Sequence, residues 1–164
     1  NLKVPSDKWM EPPSASDLKT ASNLPHSILL HPINDIPPSA MTKLTEKIPP
    51  IFRIIFLEDL KQSNFPGITF AWEQPWDCFW NTLLSKFVLK HWRNAYQAGA
   101  FKAFHMNSEE SSNDSILTGI LQRWFLGRQK AIRLGHFSPQ HRTNKQKSEK
   151  KSKIRLQVSA YHLH

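Results

Sequence analysis

The sequence predicts a mostly α-helical fold: a small, irregular helical domain with an extended Pro-rich N-terminal arm and a basic C-terminal arm. Three observations lead to it. Large apolar residues recur at helical spacing over residues 75–106 and again over 116–134. All 12 prolines except Pro139 lie at or before Pro75, which keeps long helices out of the first part of the chain. Residues 1–114 carry 11 basic and 12 acidic residues, whereas residues 115–164 carry 11 basic and one acidic, Glu149. The implied division is an arm over 1–38, a helical core over 39–135 and a basic arm over 136–164.

A chain of 164 residues has room for one modest domain with a real core. Its 6 Trp and 10 Phe are too many for a wholly disordered chain. The first residue is Asn1 rather than Met, as expected of a processed product or a part of a longer gene product.

Within residues 1–38, Pro5, Pro12, Pro13, Pro25, Pro32, Pro37 and Pro38 favour an extended, loosely held arm. Trp9 and the run Ile28-Leu29-Leu30 are its candidates for docking on the core. Ser39 is placed to cap a first short helix holding Thr42, Lys43 and Leu44, which Pro49 and Pro50 end. Pro50 then suits the first position of a second helix, IFRIIFLEDLKQ. Its expected apolar face is Ile51, Ile54, Ile55 and Leu57 to Leu60, although Ile54-Ile55-Phe56 is equally apt for a strand. Residues 64–67 read as a turn, and residues 68–72 alternate weakly enough to be extended.

The central helix follows, PWDCFWNTLLSKFVLKHWRNAYQAGAFKAFHM. At about 100° per residue, Trp76, Phe79, Trp80, Leu83, Leu84, Phe87 and Val88 share one face. Leu89, Trp92 and Tyr96 fall on another, as suits a helix with neighbours on both sides. Pro75 and Asp77 belong to its first turn, and Gly99 marks a weak point or kink before Phe101 and Phe104. Residues 107–115, NSEESSNDS, read as a loop ending in a cap at Asn113, Asp114 or Ser115.

The last helix is expected over 116–134, stopped by Gly135. Leu117, Ile120, Leu121, Trp124, Phe125, Ala131 and Ile132 form its apolar face; Arg123, Lys130 and Arg133 lie opposite. Arg128 falls within the apolar face and would stack on Trp124 or extend to solvent. Gly119 and Gly127 weaken the helix, and close packing is one reason to keep them. Ser138 and Pro139 are suited to open a further turn. The remaining run, QHRTNKQKSEKKSKIRLQVSAYHLH, has few apolar residues among its cations. It is expected to be disordered or marginally helical by itself, or an element cut short.

No catalytic constellation is visible. Glu58, Asp59, Glu73, Asp77, Glu109 and Glu110 form no recognisable acid–base pair, and no nucleophile motif is present. Cys78, the only cysteine, is expected to be a packing residue at a helix start; a single cysteine allows no internal disulfide and favours a reducing, intracellular compartment. His91 is expected at the core edge with one hydrogen bond. His136 and His141, like His162 and His164, are pairs without neighbouring cysteines or carboxylates, so no metal is expected, and no cofactor. The tryptophans Trp76, Trp80, Trp92 and Trp124 read as core rather than as a base-stacking platform. No transmembrane segment is evident.

The remaining candidate is the cationic set Arg123, Lys130, Arg133, Arg142, Lys145, Lys147, Lys150, Lys151, Lys153 and Arg155. Cations at this density release counterions from a phosphate backbone. With no zinc finger, RNP motif or heptad zipper, the expected contact with nucleic acid is electrostatic and weakly selective. Lys150-Lys151-Ser152-Lys153 matches a short nuclear import pattern. A helical protein–protein scaffold and an anionic membrane surface are the competing readings.

The stretch LQRWFLGRQKAIRLGHFSPQHRTNKQKSEKKSKIRL resembles segments in expanded, uncharacterised protein families of filamentous basidiomycete fungi. In those families an Arg-Trp-Phe type helix precedes a lysine-rich stretch. The resemblance covers about residues 80–155 and implies a fungal, nuclear or mobile-element-related protein, without an activity or cofactor.

Overall fold

A computed structural model describes residues 8–25, 28–29, 32–33, 35–36, 48–138, 140–141, 143–144 and 147–152. The fold is mostly α-helical. Among the described residues its elements include α1 (Ala15–Ser22), α2 (Ile51–Gln62), α3 (Phe79–Gln97), α4 (Ser108–Ser112) and α5 (Asp114–Arg133), preceded by a 3₁₀ turn at Lys8–Met10. The described residues include no strand. The chain divides into two compact units, residues 1–125 and 126–164.

In the first unit α1 and α2 both pack on α3, which is therefore central, as its two apolar sides predict. The prolines of the N-terminal stretch limit helix without abolishing it. Between Pro13 and Pro25, α1 forms behind a reciprocal cap: the Asp17 amide donates to Ser14 Oγ at 3.1 Å, and the Ser14 amide donates to Asp17 Oδ2 at 3.0 Å. Ala21 is its buried contact, and Ile28 is buried beyond it. The helix expected after Ser39 lies outside the described residues.

Helix α2 occupies the expected stretch, with Pro50 just ahead of it, and the strand alternative is not realised. Its buried residues are Ile55, Asp59 and Leu60, while Ile54 is exposed. A carboxylate thus occupies the apolar face. The helix closes on Asn64 in the left-handed region (φ 53°); the Phe65 amide donates to the Leu60 carbonyl and the Asn64 amide to that of Lys61, both at 3.0 Å. Asparagine is one of the few non-glycine residues that tolerate this conformation.

Helix α3 is shorter than the sequence suggested. Cys78 is its N-cap, and residues 75–77 form the turn before it. At the other end Gly99, at φ 78°, stops the helix rather than kinking it. The Ala100 amide reaches the Ala95 carbonyl at 2.9 Å, which ties the last turn, and residues 101–103 are turn. Trp80, Leu83, Leu84, Phe87, His91 and Ala95 are buried along α3. Phe65 packs on Trp80 and Phe87, with ring centroids at 4.6 and 5.8 Å.

Residues 68–72 are an irregular loop, not an extended strand, and Phe70, Ala71 and Trp72 are consecutively buried. Three inward residues in a row cannot come from a strand, whose side chains alternate. Asn81 holds this loop: its Oδ1 accepts from the Ala71 amide at 2.8 Å, and its Nδ2 donates to the carbonyls of Ala71 and Pro75 at 3.2 and 2.9 Å. Gly67 permits the close approach, because a Cβ there would sit 2.9 Å from the Trp80 ring. Trp80 Nε1 donates to the Thr69 carbonyl at 2.9 Å and Trp72 Nε1 to the Trp9 carbonyl at 2.8 Å.

The aromatic core gathers on Phe125, which is fully buried. Trp72 stacks on it at 5.3 Å and 15°, and Phe70 and Trp76 each approach to 5.4 Å. Such pairs contribute about 0.5–1.5 kcal/mol each beyond area burial. Residues 107–115, expected as loop, contain α4, capped by Asn107. Asn113 then caps α5, its Oδ1 accepting from the Ser115 and Ile116 amides at 3.0 and 3.2 Å.

In the second unit the end of α5 closes at Gly135 (φ 65°), and the His136 amide donates to the Ala131 carbonyl at 2.9 Å. The Arg128 guanidinium lies over the Phe137 ring at 5.5 Å. Ser138 Oγ accepts from the His141 amide at 3.2 Å, as a cap should, and the described residues over 140–152 are helical. The glycines of α5 serve no close contact: a Cβ at Gly119 or Gly127 would meet nothing within 4 Å.

Candidate nucleic-acid interface

The described cationic candidates lie on two helical stretches. Arg123, Lys130 and Arg133 are exposed on α5. Lys130 and Arg133 occupy its last turn, where positive charge also offsets the unpaired carbonyls. Lys147, Lys150 and Lys151 are exposed on the helical residues 147–152. Arg142, Lys145, Lys153 and Arg155 lie outside the described residues, as do His162 and His164. Ion pairs among the described residues engage Lys90, His91 and Arg93, and none of the six exposed candidates. Those six are exposed and have no ion-pair partner among the described residues.

The other titratable groups are arranged differently. Arg93 on α3 meets Asp114 at the start of α5, its Nε donating to Oδ1 at 2.9 Å; both are exposed, so the pair is worth little. Asp59 on α2 is buried and serves two neighbours on α3. Its Oδ2 accepts from Lys90 Nζ at 2.7 Å and lies 2.8 Å from His91 Nε2. His91 also meets the Phe56 ring edge-on at 5.2 Å. Burial pulls the imidazole below its ordinary value; the hydrogen bond and charge of Asp59 oppose that shift, and Lys90 adds to it. The Asp–Lys–His cluster ties α2 to α3, and none of its three residues lines the cavity of about 590 Å³.

Cys78 is half-buried, and its sulfur accepts weakly from the Asn81 amide at 3.5 Å. His136 and His141 stack with ring centroids 4.9 Å apart, but among the described residues no three His, Cys, Asp or Glu gather to hold a metal ion. The tryptophans divide: Trp80 is buried, Trp76 and Trp92 are half-buried, and Trp124 is 43% exposed. Among the described residues no helix is long and apolar enough to cross a membrane.

Sequence reasoning missed the roles of Asp59 and Asn81. Each stands in register with apolar residues, Asp59 four after Ile55 and Asn81 beside Trp80. A small polar residue repeated into an apolar face is the signal that was present. No family model, curated protein or solved structure matches this chain.

Proposed function

We propose that the protein is a non-enzymatic module that binds nucleic acid electrostatically through Arg123, Lys130, Arg133, Arg142, Lys145, Lys147, Lys150, Lys151, Lys153 and Arg155. One observation carries the reading: the six described members of this set are exposed and form no ion pair among the described residues, in a region, residues 115–164, whose one acidic residue is Glu149. Exposed lysines of this kind gain from releasing the counterions condensed on a phosphate backbone. Nothing in the sequence supplies a groove-reading element, so affinity varies little with base order. The Lys150-Lys151-Ser152-Lys153 run supports a nuclear address.

The test is a salt titration of binding to a short duplex and to a single strand of the same length. Log affinity falls linearly with log salt, and Lys147→Gln, Lys150→Gln and Lys151→Gln together reduce the duplex slope by about three. Absence of binding at low salt overturns the proposal, and so does a slope that the triple variant leaves unchanged.

A further inference from the structure

The first unit contains an open cavity of about 590 Å³, all of whose lining residues precede Phe125. That volume is within the range of small-molecule sites, about 300–1,000 Å³. The aliphatic part of its wall comes from α3 and α5, through Val88, Leu89, Leu117 and Leu121. Three aromatic rings complete it, Phe70, Trp92 and Trp124. The rings are held from behind: Trp92 stacks on Phe101 at 4.4 Å, and Trp124 approaches Phe70 and Trp72 at 5.9 and 5.8 Å. At the mouth Ile120 and Trp124 remain 49% and 43% exposed, a pairing of large apolar groups that water solvates poorly.

The polar groups are few and unequal. Asn107 uses its Oδ1 to accept the Glu109 and Glu110 amides at 3.0 and 3.5 Å. Ser111 is a buried residue on the wall. Glu110 is the one lining residue with an ionisable side chain, it is exposed, and it enters no ion pair among the described residues. Lysine and arginine are absent from the lining. An anion would meet a carboxylate and no counter-charge. A cation with an apolar body would meet that carboxylate and a wall that includes three aromatic rings.

We propose that this cavity binds a lipophilic organic cation, an amine or ammonium on an aromatic or aliphatic body, with the body among Leu117, Leu121, Trp92 and Trp124 and the charge toward Glu110. The lining shares no residue with the proposed nucleic-acid contacts, and neither proposal depends on the other.

The experiment uses three matched probes, 4-phenylbutylammonium, 4-phenylbutanol and 4-phenylbutanoate, added to the whole chain. Binding is read from the indole N–H resonances of Trp92 and Trp124 by NMR. The ammonium binds about five-fold more tightly than the alcohol, as one exposed ion pair of about 1 kcal/mol allows, and the carboxylate binds weakest. Glu110→Gln removes the preference for the ammonium and keeps alcohol binding. Ile120→Arg, at an exposed position, weakens the ammonium with the fold intact. Equal binding of all three probes overturns the proposal. So do shifts that avoid Trp92 and Trp124, an unchanged preference in Glu110→Gln, or no response at millimolar probe. Self-association that Ile120→Arg abolishes, without any probe response, assigns the surface to a second copy of the chain and also overturns it.

Discussion

Asp59 and His91 meet across the α2–α3 contact, with Oδ2 and Nε2 2.8 Å apart although the two residues are 32 positions apart in the chain. Because Asp59 accepts from Lys90 at the same oxygen, the carboxylate is the acceptor and neutral His91 must carry its proton on Nε2. The buried imidazole resists a second proton, so the folded protein binds fewer protons here than the unfolded chain does near its ordinary value of about 6.5. Stability therefore falls as pH drops through about 6.5 toward the lowered folded value, and levels off below it as far as this group is concerned. Urea unfolding midpoints of the native chain and His91→Gln, measured from pH 7.5 to 5, check this: the native curve bends downward below about 6.5 and the variant loses that component.

Replacing Asp59 alone leaves a half-buried ammonium and a buried imidazole without their shared acceptor. Asp59→Leu is expected to cost about 3–5 kcal/mol, the range for breaking a buried ion pair from one side. Adding Lys90→Met and His91→Leu restores much of the loss, because the cluster then leaves no polar side chain without its partner. Chemical denaturation of the single and triple variants measures both effects; a triple variant no more stable than the single one contradicts the account.

Asn81→Leu removes one acceptor and two donor contacts from the loop over residues 71–75. Each backbone group left buried and unpaired costs about 1–3 kcal/mol, so the variant loses at least about 3 kcal/mol. Hydrogen exchange at the Ala71 amide accelerates more than exchange at the middle of α3. Equal acceleration at both places would mean that Asn81 contributes only to global packing.

Three glycines separate by conformation. Gly119→Ala and Gly127→Ala add a methyl into open space on a regular helix and are each expected to stabilise by about 1 kcal/mol. Gly99→Ala places a Cβ at φ 78°, 2.6 Å from Lys102 Cε, and is expected to destabilise by more than about 1 kcal/mol. Thermal unfolding of the three variants gives the signs directly.

Periodicity made α2, α3 and α5 legible in the sequence, because each buries a recurring apolar face. It overextended α3 at both ends. Cap geometry at Cys78 and the left-handed Gly99 fix those ends, and a run of apolar side chains continues past both. The short helices α1 and α4 were obscured by nearby prolines and by a polar composition, although Ser14 and Asn107 are good caps. Asp59 and Asn81 were passed over because their partners are tertiary. The cations of the candidate interface were legible as composition, but an exposed side chain leaves no periodic trace of what it faces. Arg128 shows this: the chain turns at Gly135 and brings Phe137 over it, a partner that its position on the helix did not suggest.

The indole of Trp72 donates to the Trp9 carbonyl, and the Trp9 ring stands against it edge-on at 5.8 Å. Those two fluorophores make the latch between the leading segment and the core a self-reporting one. Proteolytic trimming ahead of α1 would wet Trp72 and shift its emission to the red, so optical spectroscopy on the unlabelled chain can follow release of that segment.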